Sequence, residues 1–542
     1  MGNGLFRFLN NTVKRCPKTG KILGVNFKST LSKFLFPLFG IAAILWFIIR
    51  VVPKPSRIAY PCQQIAAGIG SSFIVWLLGA AGSIALFQKI KKHSLILASL
   101  FLVSAASFGI IFTNEAKDLF DGSGQQILTP LEGANKPMGT ARGIFPGRVV
   151  WSQDFNATSW DGEYGHWWDD NNTNQNVVDE LLSKTIRKLT KAKSDTEAWQ
   201  KLFKYHNNKF KDKNAGYRKG EKIVIKINCN ADGKINADWA SRGYPSPHVI
   251  YSLVKQLIEN AGVPGEDITI SDPSRFIGYP IYNKIRSNPK MDYQQVRFEE
   301  KTSRPGAQRF KAMPDTLHPV YFNMPGNRQK VYYLPESFSE AAYIINLAEL
   351  RPHRVFGVTM CSKNLFGVVY DPLQKAFRPD SLHAFALWDY KTPNKQGEIH
   401  CSPVLLGNKI TNGKTFLYLL DGLYTAKNQG LDVVRWSTMN NDWCSSILMS
   451  QDPIALESVG YDLIVNEPNL TNDNPSFNGN VDNYLHEDAL APNSPSGMKY
   501  DPMHDGNIVT SLGVHEHWNN VADKKYSRNL GLKKGIELVL IR

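Results

Sequence analysis

One stretch constrains the fold more than any other. Residues 222–228 (KIVIKIN) read as a strand. Residues 247–261 read as a helix with Pro247 in its first turn, and residues 267–271 (DITIS) as a second strand ending at Asp272. A tight hairpin cannot hold a whole helix between two strands. The chain must cross over, so the strands pair in parallel with a right-handed connection and the helix covers one face. Further strands are expected at 147–154, 342–345, 416–420 and 535–541, and an amphipathic helix at 177–189. Ser194 and Glu197 make a capping box for the next helix. Asp452 followed by Pro453 should start a helix that runs to Ile464. The fold class expected is α/β: a mostly parallel sheet flanked by helices.

At 542 residues the chain is too long for one simple core. Its first 114 residues differ from the rest. They hold thirteen of the 63 Lys and Arg and no Asp or Glu, which leaves 50 basic against 48 acidic residues elsewhere. The net charge of +15 therefore belongs to the N-terminal segment. No helix-turn-helix, zinc-finger or single-strand-binding pattern follows it, so nucleic acid is not an expected partner. Apolar runs at 34–52, 65–87 and 94–113 each approach the ~20 residues that span a bilayer. An all-α transmembrane anchor is expected over 1–114, with the lipid bilayer as its partner. Ten basic residues would then lie inside and three (Arg50, Lys54, Arg57) outside, which makes the protein an integral membrane protein with its large domain extracytoplasmic. Residues 115–221 read as a linker with an aromatic-rich and helical segment, and 222–542 as the α/β domain with a docked tail.

The polar chemistry clusters after predicted strand ends, where open α/β sheets bind ligands. The stretch 346–369, NLAELRPHRVFGVTMCSKNLFGVV, carries Arg351, His353, Thr359, Lys363 and Asn364 among apolar anchors. Lys226, Asn228, Asp272, Ser274 and Arg275 fall at or beyond the ends of the crossover strands, and Asp421 ends another. Lys363, His353, Asp272 and Asp421 are the candidate catalytic groups. Lys226, Asn228, Arg351, Thr359, Asn364 and Arg275 are the candidate substrate contacts. Cations and amides grouped this way suit the stabilisation of negative charge. No phosphate loop or dinucleotide fingerprint is present.

Two other features stand out. Trp160, Tyr164, Trp167 and Trp168 lie among acidic residues, a composition that fits an envelope-glycan or membrane-protein contact but more often belongs to an irregular loop anchored by its rings. In the tail, His515 and His517 alternate, so on extended backbone their rings share a face. With His486 and Glu487 they could ligate a divalent or transition metal. The six cysteines include no CxxC pair, which argues against an iron–sulfur cluster and leaves disulfides or buried free thiols open.

The succession KIN, a Pro-His helix start, SDPSR, RPHRVFGVTMCSKNLFGVV, LLDG and SQDPIALESVG resembles the domain-of-unknown-function family numbered 362, over roughly residues 222–464. The flanking SRIAYPC and GVHEHW resemble a membrane-anchored subgroup. The resemblance implies an α/β domain without an assigned reaction. It carries over Lys226, Asn228, Asp272, His353, Thr359, Lys363, Asn364 and Asp421 as site candidates. Some relatives are fused to ferredoxin-like modules, which implies redox chemistry, but this chain lacks that cysteine-rich motif. It also has Ile227 where Pro is common and Arg351 where Lys is common. The expectation is an enzyme acting on an anionic substrate, metal-dependent or redox-linked. The alternative is a non-catalytic envelope- or partner-binding ectodomain.

Overall fold

The computed structural model describes residues 133–229, 242–324, 328–353, 356–377, 382, 401–428, 430–472 and 481–542, with the backbone of Val13–Arg15 and Ile22–Val25. The chain divides into two compact units, Met1–Gln126 and Ile127–Arg542. In the first, Val13–Arg15 pairs antiparallel with Ile22–Val25, a ribbon that an all-α segment would not contain. The three apolar runs and the bilayer contact expected of them lie outside the described residues. Among the described residues no helix is long and apolar enough to cross a membrane.

The second unit is built on a nine-stranded sheet. Its strands are β1 (Arg148–Gln153), β2 (Ile223–Lys226), β3 (Ile268–Asp272), β4 (Arg297–Glu300), β5 (Arg309–Lys311), β6 (Tyr343–Glu349), β7 (Thr415–Gly422), β8 (Ser446–Ser450) and β9 (Glu537–Ile541). Across the sheet they lie in the order β9-β1-β8-β7-β6-β2-β3-β4-β5. Neighbours are parallel except around β8, which runs against both β7 and β1. The crossover unit is as expected: β2 and β3 pair directly, Ile225 opposite Ile270.

Strands buried on both faces read as apolar runs, because each pleat sends successive side chains to opposite layers. Ile223 and Ile225 pack into one core and Val224 into the other. Leu417 and Leu419 join the first, Tyr418 and Leu420 the second. The first layer holds α1 (Gln175–Thr190), α2 (Asp195–Lys211) and α3 (Pro247–Lys255). The second holds α4 (Cys401–Gly407), α5 (Pro453–Val465) and α6 (Val481–Ala489). Caps mark the helix starts as the sequence suggests: Ser194 accepts from the Glu197 N–H, and Asp452 from the Ala455 N–H. α5 is buried around its whole circumference, so it is a core helix and its polar residues need internal partners.

A second sheet of four strands, with Pro314–Met324 and Arg328–Pro335 as its long pair, has no counterpart in the expected element list. Cys229, Cys361, Cys401 and Cys444 are all buried free thiols.

Candidate functional site

From β2 the sheet grows in two directions. β3, β4 and β5 add on one side, β6 and β7 on the other. The carboxyl ends of β2 and β6 are therefore the switch point at which α/β sheets bind ligands, and the side chains gathered there define the candidate crevice. Register sets what lines it. Glu349 ends β6 opposite Asp421 of β7, and Lys226 ends β2 between Asn346 and Ser271.

The chain after β6 folds back as a short hairpin, Arg351–His353 against Gly357–Thr359, then forms the helical turn Cys361–Asn364. Gly357 sits at φ +92 with Val481 close behind its Cα, a place only glycine fills without strain. His353 uses Nδ1 to accept from the Phe356 N–H at 3.1 Å, so it braces the hairpin. Asn364 is the central organiser. Its amide donates to Asn346 Oδ1 (2.8 Å), Lys226 O (3.1 Å) and Leu347 O (3.2 Å), while its Oδ1 accepts from Lys226 Nζ (2.9 Å). Lys226 also donates to Ile227 O and stands 3.5 Å from Asp272. Asp272 accepts from the Cys229 N–H at 2.7 Å and from Ser274 Oγ at 3.2 Å. Gly367 passes so near that a Cβ there would meet Ser274 Oγ at 3.0 Å, Asp272 Oδ1 at 3.1 Å and Lys226 Nζ at 3.2 Å.

Three charged groups in the crevice are less well satisfied. Glu349 touches Arg351 at 2.6 Å, Oε2 to Nη1, but off the hydrogen-bond direction. Arg351 Nη2 donates to Asn228 Oδ1 at 3.4 Å, while its Nε has no hydrogen-bond partner among the described residues. Burial, opposed by Arg351 and aided by Asp421, pushes the Glu349 carboxyl up to about 7, and burial lowers the Arg351 guanidinium. Lys363 is buried under the Phe366 ring, 4.5 Å from its centroid. Burial first, then repulsion from Arg275, Lys226 and Arg351, brings its amine down to about 7. Among the described residues Lys363 has no carboxylate partner. Arg275 is half-buried with Nε unpartnered, and Thr359 Oγ1 is buried without a hydrogen-bond partner.

Asp421 behaves differently. Its oxygens accept from the Ser246 N–H at 2.8 Å and the Leu423 N–H at 3.2 Å, which fixes the start of α3. Burial nevertheless raises its carboxyl to about 6. Glu349 was absent from the expected site because the apolar run was cut at Ile345. The run continues to Leu350 with only Asn346 and Glu349 polar, a pattern that places Glu349 on the strand.

A second polar centre lies in the α5–α6 layer. His515 and His517 do share a face, with ring centroids 4.9 Å apart. The carboxylate beside them is Asp482, 3.0 Å from His517 Nε2 and 3.9 Å from His515 Nε2. His486 packs its ring 5.2 Å from His515. Glu487 turns elsewhere, accepting from Ser496 (N–H at 2.7 Å, Oγ at 3.0 Å) and from Tyr500 Oη at 2.7 Å. The reason is helical spacing. On α6, Asp482 and His486 are four residues apart and share a face, while Glu487 is rotated off it. His517 Nδ1 meets Asp462 at 2.6 Å. Burial pulls its imidazole down, yet the bonds to Asp462 and Asp482 outweigh this and hold it at about 10. His515 is driven well down by burial and by its two histidine neighbours.

The tryptophans are mostly internal. Trp160 stacks on Trp443 and Trp167 donates to Arg242 O at 2.8 Å, both indoles being buried. Of this segment, Tyr164 is the large exposed ring.

No curated protein matches the chain. Residues 223–462 match DUF362, a domain of unknown function; the crevice lies inside that match, and Asp482, His515 and His517 lie outside it.

Proposed function

We propose that the crevice between β2 and β6 is an enzyme site that binds an anionic substrate group and exchanges a proton with it through Glu349. One observation carries this reading. Lys363 is buried within range of three other cations and has no carboxylate partner among the described residues. Like charges brought together out of water are costly unless an anion neutralises them. Arg351 supplies a fixed, forked charge and Lys363 a mobile point charge. Glu349 and Lys363 both titrate near 7, the range in which a group gives up and regains a proton readily. Lys226 and Asn364 then serve as positioning residues, tied to each other and to the backbone of β2 and β6.

The test is thermal denaturation of the full chain with inorganic phosphate and with small di- and tricarboxylates. Saturable stabilisation by one of these, abolished in Lys363→Met and retained in Glu349→Gln, is the expected result. If no anion stabilises the wild type, the anionic-substrate reading goes.

The same reading places this domain outside the cytoplasm on a membrane anchor, supported by the three acid-free apolar runs before residue 114. Extraction of the protein by alkaline carbonate would sink that part alone. A non-catalytic ectodomain that recognises a glycan or a membrane protein has less behind it, because Trp160 and Trp167 face inward.

A further inference from the structure

We propose that Asp482, His515 and His517 bind one divalent transition-metal ion of the zinc class. Their ligand atoms all lie within 4.8 Å of one another, and all three side chains are buried. Ligands around a tetrahedral ion with bonds near 2.1 Å stand roughly 3.4 Å apart. The observed separations of 3.0 and 3.9 Å from Asp482 Oδ1 bracket that value. Two imidazoles and a carboxylate leave a coordination position over, and the His486 ring lies 5.2 Å from that of His515.

The surroundings decide which nitrogen faces the site. Ser458 Oγ donates its single hydrogen to Ile454 O at 2.7 Å and lies 2.9 Å from His515 Nδ1. With that hydrogen spent, His515 Nδ1 must be the donor. His515 Nε2 is then a bare lone pair, fully buried and without a hydrogen-bond partner among the described residues. Nothing in a purely structural role calls for that lone pair to point at a carboxylate. For His517, Asp462 Oδ2 accepts from the Trp518 N–H at 3.1 Å and from Tyr526 Oη at 2.7 Å, which fixes the group so that its Oδ1 meets His517 Nδ1 at 2.6 Å. Nε2 is thereby directed toward Asp482. Each histidine has one nitrogen held by a polar neighbour and the other turned inward, the outer-shell arrangement of metal-binding imidazoles. Both supports, Ser458 and Asp462, come from α5, four residues apart on one face.

The test uses the full chain in detergent, stripped with a chelator and titrated with Zn²⁺ and separately with Co²⁺. The expected result is one ion per chain by elemental analysis, with visible absorption bands from Co²⁺ in a low-coordinate nitrogen–oxygen site. His515→Ala and Asp482→Asn should each weaken binding by about 100-fold or more, and Ser458→Ala by about 10- to 100-fold. Glu487→Gln should bind as the wild type does. Folded wild type that takes up no stoichiometric Zn²⁺ and gives no Co²⁺ bands overturns the proposal, whatever the variants do. So does uptake unchanged in both Asp482→Asn and His515→Ala, or uptake lost in a folded Glu487→Gln.

Discussion

Two groups of buried charge sit at the same edge of the sheet and are treated in opposite ways. At the end of β4, Glu300 is fully buried and saturated. It accepts from Arg309 (Nε at 2.7 Å, Nη2 at 3.0 Å), Arg304 Nε at 3.0 Å and the Ile277 N–H at 3.0 Å. Both arginines also donate to Ile277 O. At the ends of β2 and β6, Lys363 has no acid partner among the described residues, and Glu349 meets Arg351 off-axis. In the first cluster every charge has an opposite charge in direct contact, although Arg304 Nη1 and Arg309 Nη1 are buried without a hydrogen-bond partner among the described residues. In the second, desolvation is only partly offset, and such residual strain is what a binding site retains. Buried charge is thus a poor marker of function by itself; a missing counter-charge is the better one.

That contrast can be broken by mutation. Glu300→Ala strands two buried guanidinium groups and should cost about 3–5 kcal/mol in urea denaturation. A loss under about 1 kcal/mol would mean that the saturated cluster is not structural. Lys363→Met removes an unneutralised buried cation at similar volume and should stabilise the fold by about 1–3 kcal/mol. Destabilisation of that size would instead show Lys363 to be well paired.

The next effects depend on pH. Glu349 has its folded-state pKa raised to about 7. Its contribution is full below the unfolded carboxyl range, near 4.5, and fades as pH rises to 7. Lys363 is depressed to about 7, so its contribution is present above the unfolded range near 10.5 and is lost as pH falls to 7. Stability of Glu349→Gln, followed from pH 4.5 to 7.5, should gain about 3 kcal/mol on the wild type across that window. Parallel curves would remove the raised carboxyl from the argument. Gly367→Ala is the mildest change. It asks the ends of Ser274, Asp272 and Lys226 to yield by a few tenths of an ångström, so stability should fall by less than about 1 kcal/mol while any anion-induced stabilisation weakens.

The crossover unit, the parallel pairing, the caps at Ser194 and Asp452 and the face shared by His515 and His517 were all legible, because each follows from local chemistry. What the sequence hid was long-range. β8 runs against its neighbours, which no feature of SILMS specifies, and the four-stranded sheet pairs segments whose alternation is irregular. Asp482 is absent from the expected ligands because its place on the helix Val481–Ala489 is what brings it to the histidines. The i, i+4 relation to His486 would have brought it forward. Glu349 escaped because β6 was ended four residues early. Asp272, His353 and Asp421 were found as site candidates, but their backbone bonds to Cys229, Phe356 and Ser246 are not visible in a linear pattern.

β8, β1 and β9 also say something about the order of assembly. The crevice is made from pieces relatively near in the chain: Cys229 meets Asp272 across 43 residues and Lys226 meets Asn364 across 138. The outer strands join pieces much further apart, Trp151 to Ser446 across 295 residues and Arg148 to Glu537 across 389. Closing the longer loops sacrifices more chain entropy before any contact repays it. The topology therefore predicts that amides of β2, β3 and β6 gain protection first in a refolding hydrogen-exchange experiment, and those of β1, β8 and β9 last. Simultaneous protection would refute that order. Under it, the crevice takes shape early, and the histidine centre is completed only when the remote tail docks.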